Sequence, residues 1–408
     1  MPPTPILLRG GRCWDATRRT FDDGVDLLLA DGEIAARGRD LPAPPGAAVL
    51  DCRGRWIIPG LIDCHVHLVS SGAADDLNVA RNDPPPLRML RMAEHARRTL
   101  AAGFTTVRDL GAPHQLNIHL ARAVADGLVE GPRILAAGLG VTMTGGHGHG
   151  FIAIEADGPD EVRKAVRSQL KAGATAVKLF ASGGVLTPGV DPRAPSFEEA
   201  ELRAGVEEAR KASRPVAAHA QAAAGIANAV RAGVDSIEHG VWLDEQAIGL
   251  MLERGTCLVP TLTAPAVMVE RGASEGVAPY AIEKSAMVLD DHLASFRRAL
   301  AAGVRLAMGT DQGTPLNRPG ENAQEIVRMA RHGLSAAAAL LAATAWAADL
   351  LRVPAGRLAE RLAADIVVLG RDPIEDITVL EDQDAMLAVI AGGRPARVAP
   401  ALHTEEQP

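Results

Sequence analysis

Apolar residues fall into two rhythms along this chain. Near both ends they form short runs that alternate with polar residues and stop at turns. "PILLRGGRCW" from Pro5 and "VDLLLADGEIAARG" from Val25 read this way, with an Asp-Gly hairpin signal at Asp31–Gly32. "AAVLDCRGRWIIPG" from Ala47 predicts one more strand. "ADIVVLGRDP" from Ala364 and "AMLAVIAGGRPAR" from Ala385 repeat the pattern near the other end, around a Gly-Gly turn. Both ends are therefore expected to meet in one small β domain, a composite sandwich.

Between the ends, short buried-looking runs alternate with Ala-rich stretches of helical period. The expected strands are Ile57–Leu68, Thr105–Leu110, Arg133–Ala137, Ala176–Ala181, Val216–Ala220, Ser236–His239, Cys257–Thr261 and Arg305–Thr310. Helical patterns begin at Pro159, Ser196 and Ala223, with a capping box expected from Ser196 to Glu199. "AGF", "AGA" and "AGV" place glycine where helices end. Strand and helix in strict alternation predict an α/β fold, a parallel (β/α)8 TIM barrel. The expected division is residues 1–57 and 353–408 for the β domain and 58–352 for the barrel.

Composition narrows the function. The chain has 408 residues, is 47% hydrophobic but only 3% aromatic, and carries a net charge of −8. That charge argues against nucleic acid or an anionic membrane as partner. Four cysteines, at positions 13, 52, 64 and 257, show no C-x-x-C spacing, so neither a zinc ribbon nor a disulfide framework is indicated. With no signal-like start and no membrane-length apolar run, a cytoplasmic protein is the expectation.

The polar residues inside the apolar runs carry the chemistry. In "GLIDCHVHL" (Gly60 to Leu68), His65 and His67 are two apart and so share one face of a strand. Taken alone, the pair fits a metal or two hydrogen-bonded imidazoles equally well. Lys178 lies in the expected fourth strand, and His219, His239 and Asp311 end the fifth, sixth and eighth. An unpaired ionisable group in such a run is costly, and six at equivalent strand ends imply a common purpose. Four imidazoles and a carboxylate suit zinc. Lys178 does not, because an ammonium cannot bind a metal. Among cations it would shed its proton, and the free amine could take up carbon dioxide as a carbamate bridging two metals. The plainer alternative for it is an ordinary salt bridge.

"GLIDCHVHL", "VKLFASGG", "AAHA", "IEHG", "GTD" and "GPRILAAGLGVTMTGGHGHG" together resemble the amidohydrolase superfamily, in its imidazolonepropionase-related and prolidase-like branch. The resemblance spans nearly the whole chain. It implies two divalent ions, with zinc expected: His65, His67 and Asp311 on the more buried one, His219 and His239 on the other, and carboxylated Lys178 between them. It implies Asp311 as the proton shuttle. It also implies hydrolysis of an amide in a dipeptide or an N-acyl amino acid of ochratoxin-like type, in a homo-oligomer acting on a small molecule. Cyclic-amide and aryl-urea or carbamate hydrolysis are the alternatives, and a non-catalytic scaffold of the same fold is a distant third.

Five further residues are expected near substrate. His147 and His149 sit in a glycine-rich loop after the third strand and could act as catalytic or carboxylate-binding imidazoles on a lid; a bystander surface loop is the alternative. Arg108 could touch substrate or pair with Asp109 behind the site. Gln221 stands where prolidase-like members often carry tyrosine, a departure from that pattern, and its amide is a weaker donor. Asn322, in the loop after the eighth strand, could touch substrate or serve the loop itself. The remaining histidines, His292 included, are expected to be surface or core residues.

Overall fold

The structure is a computed structural model describing residues 4–75 and 82–403. Five strands open the chain: β1 (Ile6–Asp15), β2 (Thr20–Ala30), β3 (Glu33–Gly38), β4 (Ala48–Asp51) and β5 (Trp56–Pro59). Next come β6 (Leu61–Val66), β7 (Phe104–Asp109), β8 (Arg133–Ala136), β9 (Gly140–Thr142), β10 (Ala153–Glu155), β11 (Val177–Phe180), β12 (Val216–Ala220), β13 (Ser236–His239) and β14 (Cys257–Val259). The last three are β15 (Ile366–Leu369), β16 (Met386–Ala391) and β17 (Arg394–Val398).

Both ends of the chain share one eight-stranded sheet, ordered β17-β16-β15-β5-β1-β2-β3 with β4 beside β1. Its hairpins use the glycines the pattern pointed to. Asp31 and Gly32 have φ of 52° and 84°, and Gly392 and Gly393 have φ of 54° and 74°, as a two-residue hairpin turn requires.

The middle of the chain is parallel. One sheet runs β6-β7-β8, another β10-β9-β11-β12-β13-β14. Every residue of β6, β7, β11, β12, β13 and β14 is buried, as expected of strands covered on both faces. The helices between them are amphipathic and end on left-handed glycines at Gly173, Gly233 and Gly303. No helix among the described residues is long and apolar enough to cross a membrane.

Three expectations need correcting. The single strand predicted over Ile57–Leu68 is two. Gly60 N–H donates to Asp365 O in the terminal sheet, and Leu61 N–H donates to Gly103 O in the parallel region. A Cβ at Gly60 would lie 2.1 Å from Thr105 Oγ1, so only glycine lets the chain pass between the two sheets there. The strand predicted over Arg305–Thr310 keeps only a Leu258–Leu306 bridge. Its amides are diverted: Met308 N–H goes to Ala342 O, and Thr310 N–H to the Asp63 carboxylate. Finally, the helix expected from Ser196 starts at Glu199, and Glu198 with Glu201 forms the capping box instead. There the Glu198 carboxylate accepts from Glu201 N–H, and the Glu201 carboxylate accepts from Glu198 N–H at 2.8 Å.

Candidate metal centre and cleft

A cleft of about 960 Å³, counting its open mouth, is lined by His65, His67, His147, Lys178, His219, His239 and Asp311. Arg108, His149 and Asn322 do not line it.

The floor is built from paired ionic groups. His65 Nδ1 lies 2.9 Å from Glu238 Oε2, and Glu238 Oε1 accepts from Arg108 (2.8 Å) and Ser236 Oγ (2.5 Å). A carboxylate on Nδ1 fixes the ring's orientation and its tautomer, leaving Nε2 as a lone pair. That Nε2 lies 3.3 Å from Asp311 Oδ1, and His67 Nε2 lies 3.4 Å from the same oxygen. His67 Nδ1 donates to Gly111 O (3.2 Å). His239 Nδ1 meets Thr261 Oγ1 at 2.7 Å. His219 is turned the other way: its Nε2 donates to Gly183 O at 2.8 Å, freeing Nδ1. Each ring thus spends one nitrogen on the protein and keeps the other for the cleft.

The rings crowd together, with His219 and His239 centroids 4.5 Å apart and His65 and His239 5.2 Å apart. Ligand atoms of His65, His239 and Asp311 all lie within 4.8 Å of one another. Burial holds His65, His219 and His239 well below the usual imidazole range, with neighbouring positive groups adding to it. Burial also pulls His67 down, but the Asp311 carboxylate outweighs it and the net shift is upward. Burial would raise Asp311, yet His65 and His67 bring it down to about 2. Lys178 is pushed down to about 8, chiefly by burial, with Nζ 5.3 Å from the Phe180 ring centroid. Imidazoles beside an anionic carboxylate form a donor set suited to a divalent ion of zinc's type.

Strain marks the same place. His239, Thr261 and Asp311 have φ of 70°, 53° and 59°. Each left-handed non-glycine residue costs on the order of 1–3 kcal/mol, and such residues cluster at functional sites.

The outer wall is different in kind. His147 Nδ1 contacts Thr187 Oγ1 at 2.7 Å, and its ring packs 4.7 Å from that of His219. A Cβ at Gly184 would lie 2.5 Å from His147 Nε2, so glycine is needed for this approach. Lys284, from the helix Pro279–Ala302, donates to Thr187 O (2.9 Å) and Val190 O (2.6 Å) and holds that loop. The rest of the wall is apolar: Phe151, Val185, Leu186, Val241, Met268 and Val288.

Three expected substrate contacts do not reach the cleft. Arg108 is fully buried behind β6, where it donates to Glu238, Ser236 and Cys64 O. Its expected partner Asp109 faces the other side of β7 and accepts from Leu68 N–H, Gly111 N–H and Asn117. Asn322 is fully buried and donates to Asp63 (2.8 Å) and Gln312 (3.2 Å), bracing the carboxylate that holds Thr310. His149 turns its Nδ1 to Gly146 O inside its own loop. Gln221 and His147 do line the cleft.

Sequence reasoning missed Glu238, although a glutamate inside the apolar run "DSIEHG" carries the same signal as its neighbour His239. It also missed Asp63, Thr187 and Lys284. His292, expected as a surface or core histidine, is buried; it also lines the cleft and donates from Nε2 to His239 O at 2.9 Å.

A model of the amidohydrolase family matches residues 56–396. Ochratoxinase from Aspergillus niger is 32% identical over 406 residues, covering 90% of this chain and 82% of that protein. Its crystal structure superposes with a TM-score of 0.85 at 29% identity, covering 98% of this chain and 96% of that one. A Xaa-Pro dipeptidase with methionine bound in its active site gives a TM-score of 0.87 at 32% identity, covering 96% and 99%. A prolidase complexed with N-methylphosphonate-L-proline gives 0.90 at 35%, covering 97% and 100%.

Proposed function

Because this chain belongs to the amidohydrolase family, whose members hydrolyse amide carbon–nitrogen bonds, we propose that it is a binuclear metal-dependent amidase acting on an N-acyl amino acid or dipeptide. The observation that carries this reading is that His65, His67, His219 and His239 each spend one ring nitrogen on the protein and line one cleft with Asp311 and Lys178. His65, His67 and Asp311 would hold one divalent ion and His219 and His239 the other, with zinc fitting the donor set. Lys178 would supply a further anionic ligand as a carbamate, formed when its neutral amine adds to carbon dioxide with loss of one proton. When bound, the ions polarise the substrate carbonyl and acidify the attacking water.

The chain's own residues do the rest. Asp311, held ionised, accepts the attacking water's proton at a carboxylate oxygen and returns it to the leaving nitrogen as the C–N bond breaks. Arg108 and Glu238 keep His65 in one orientation. His147 offers Nε2 to a substrate carboxylate, and the apolar wall takes the substrate's side chain. The architecture proposed with this function is a closed eight-stranded barrel over residues 58–352. The bonds Leu258 N–H to Arg305 O and Cys64 N–H to Met308 O support closure. Residues 1–57 and 353–408 form the small sandwich beside it.

The test is metal analysis beside an activity panel of N-acyl amino acids and dipeptides. About two metal equivalents per chain are expected, with hydrolysis lost on chelation and restored by zinc. A metal-loaded protein that cleaves no amide in the panel would overturn the reading.

A further inference from the structure

A second hollow lies at the other end of β14 from the metal cleft. It encloses about 1060 Å³, counting its open mouth. Cys257, which opens β14, lines it, whereas Thr261, just past the far end of that strand, meets His239 in the cleft. Leu300 from the helix Pro279–Ala302, Leu334, and Trp346 from the helix Ala345–Leu351 give it an apolar wall. Arg19 borders it from the terminal sheet, held at a φ of 58° in the turn between β1 and β2. Arg305, in the segment after the helix Pro279–Ala302, borders it from the parallel region.

The polar groups around this hollow are unbalanced. Among the described residues, neither the Arg19 nor the Arg305 guanidinium has an ion-pair or hydrogen-bond partner, and the Trp346 indole N–H has no acceptor. Asp349 is the one carboxylate in the lining, and Arg357 already donates to both its oxygens at 2.8 Å. Burial pushes the Cys257 thiol up to about 12 against the pull of Arg305, so it stays neutral, and it donates to Leu258 O. The side-chain groups left without a partner are therefore all donors, and two of them are cations. Acidic residues outnumber basic ones in the chain, 50 to 42, yet none is available here. We propose that this hollow is a binding site for a small organic carboxylate with an aromatic or branched apolar body. The carboxylate is an acceptor only and suits guanidinium donors, while the body covers Trp346, Leu300 and Leu334. A bare anion would leave that wall wet, and a neutral apolar molecule would leave both cations without a counter-charge. The site needs no metal and does not rest on the amidase reading.

The experiment is calorimetric titration of the zinc-loaded protein with 4-phenylbutyrate, compared with 4-phenylbutyramide, acetate and inorganic phosphate. Saturable binding of 4-phenylbutyrate is expected. The amide, which keeps the ring and loses the charge, should bind about ten- to hundredfold more weakly, the scale of one charge-assisted bond. Acetate and phosphate, which lack the ring, should fall by about the same factor. Arg19→Gln and Arg305→Gln should each weaken 4-phenylbutyrate about tenfold, with circular dichroism and metal content establishing that both variants are folded and loaded. Carboxylate caught by metals in the cleft would be held equally by wild type and variants, so an affinity unchanged in both variants overturns the inference. So does the absence of saturable binding to the wild type. Equal affinity for the amide removes the role of the cations, and equal affinity for acetate or phosphate removes that of the wall; either result also overturns it.

Discussion

At the floor of the cleft, His65 of β6 leans on Glu238 of β13 at 2.9 Å and faces Asp311 at 3.3 Å. On the outer wall, His147 leans on one threonine hydroxyl at 2.7 Å, carried by a loop that a helix lysine holds from behind. The floor's groups are tied by charged partners that are themselves buried and tied again. The wall's groups depend on few contacts, and Lys284 reaches only loop carbonyls. A framework of the first kind fixes where bonds break. One of the second kind can be retuned for a different substrate without disturbing the first. Substitutions on the floor should therefore cost rate and stability, and substitutions on the wall should cost selectivity.

The largest effect should come from Asp311→Asn. The amide still offers an oxygen to the cleft but cannot carry a proton. A drop in kcat of roughly 10²–10⁴ is expected with most of the metal retained. Measuring kcat beside metal content checks this, and near-normal turnover in a folded, loaded variant would remove Asp311 from its role.

Glu238→Gln comes next and strikes the floor from behind. It deprives Arg108 of its buried counter-charge and His65 of its carboxylate. Removing one partner of such a buried pair costs about 3–5 kcal/mol of stability. Losing the group that orients a ligand lowers metal affinity about 10–100-fold. Urea midpoints and competition with a chelator measure the two separately. Unchanged metal affinity would mean that Glu238 serves stability alone.

How much of this contrast was legible in the sequence follows from the range of the contacts. The floor announced itself locally, because histidine, lysine or aspartate inside an apolar run is expensive unless employed, and all six such residues line one cleft. The same argument applied to Glu238 and Asp63 would have found both. Arg108 and Asn322 carried that signal too, yet face away from the cleft, since burial cost reveals employment but not direction. The terminal sheet was legible through its turns. The wall was not. Thr187 lies 40 residues from His147, and Lys284 lies 97 from Thr187, with no periodicity linking them. Gly184 matters only because an imidazole from another loop packs onto it.

On the wall, His147→Ala should shift selectivity more than rate. If its imidazole meets a substrate carboxylate, a charge-assisted bond of about 1.5–3 kcal/mol separates an N-acyl amino acid from its C-terminal amide by roughly ten- to hundredfold. That preference should shrink in His147→Ala and persist in His149→Ala, since His149 faces Gly146 rather than the cleft. Comparing kcat/KM for acid and amide on both variants decides it. An acid preference surviving in His147→Ala would move carboxylate recognition to another group in the cleft.

The smallest effect should come from Lys284→Met, which tests whether the wall is held from outside. Lys284 does not itself line the cleft, yet its ammonium donates to the carbonyls of Thr187 and Val190 on the loop that carries Val185 and Leu186. Methionine keeps the length and loses the donors. Bonds from a charged donor are worth more when buried, but Lys284 is half-exposed, so water takes up part of the loss and about 1 kcal/mol remains. Spread over substrate binding, that is roughly a fivefold rise in KM with kcat nearly unchanged. The acid-over-amide preference should fall as well, because Thr187 on the loosened loop is what orients His147. Steady-state kinetics on the acid and the amide separate the possibilities. A fall in kcat with KM unchanged would place Lys284 with the floor, and no change in either constant would mean that the loop is held by its own packing.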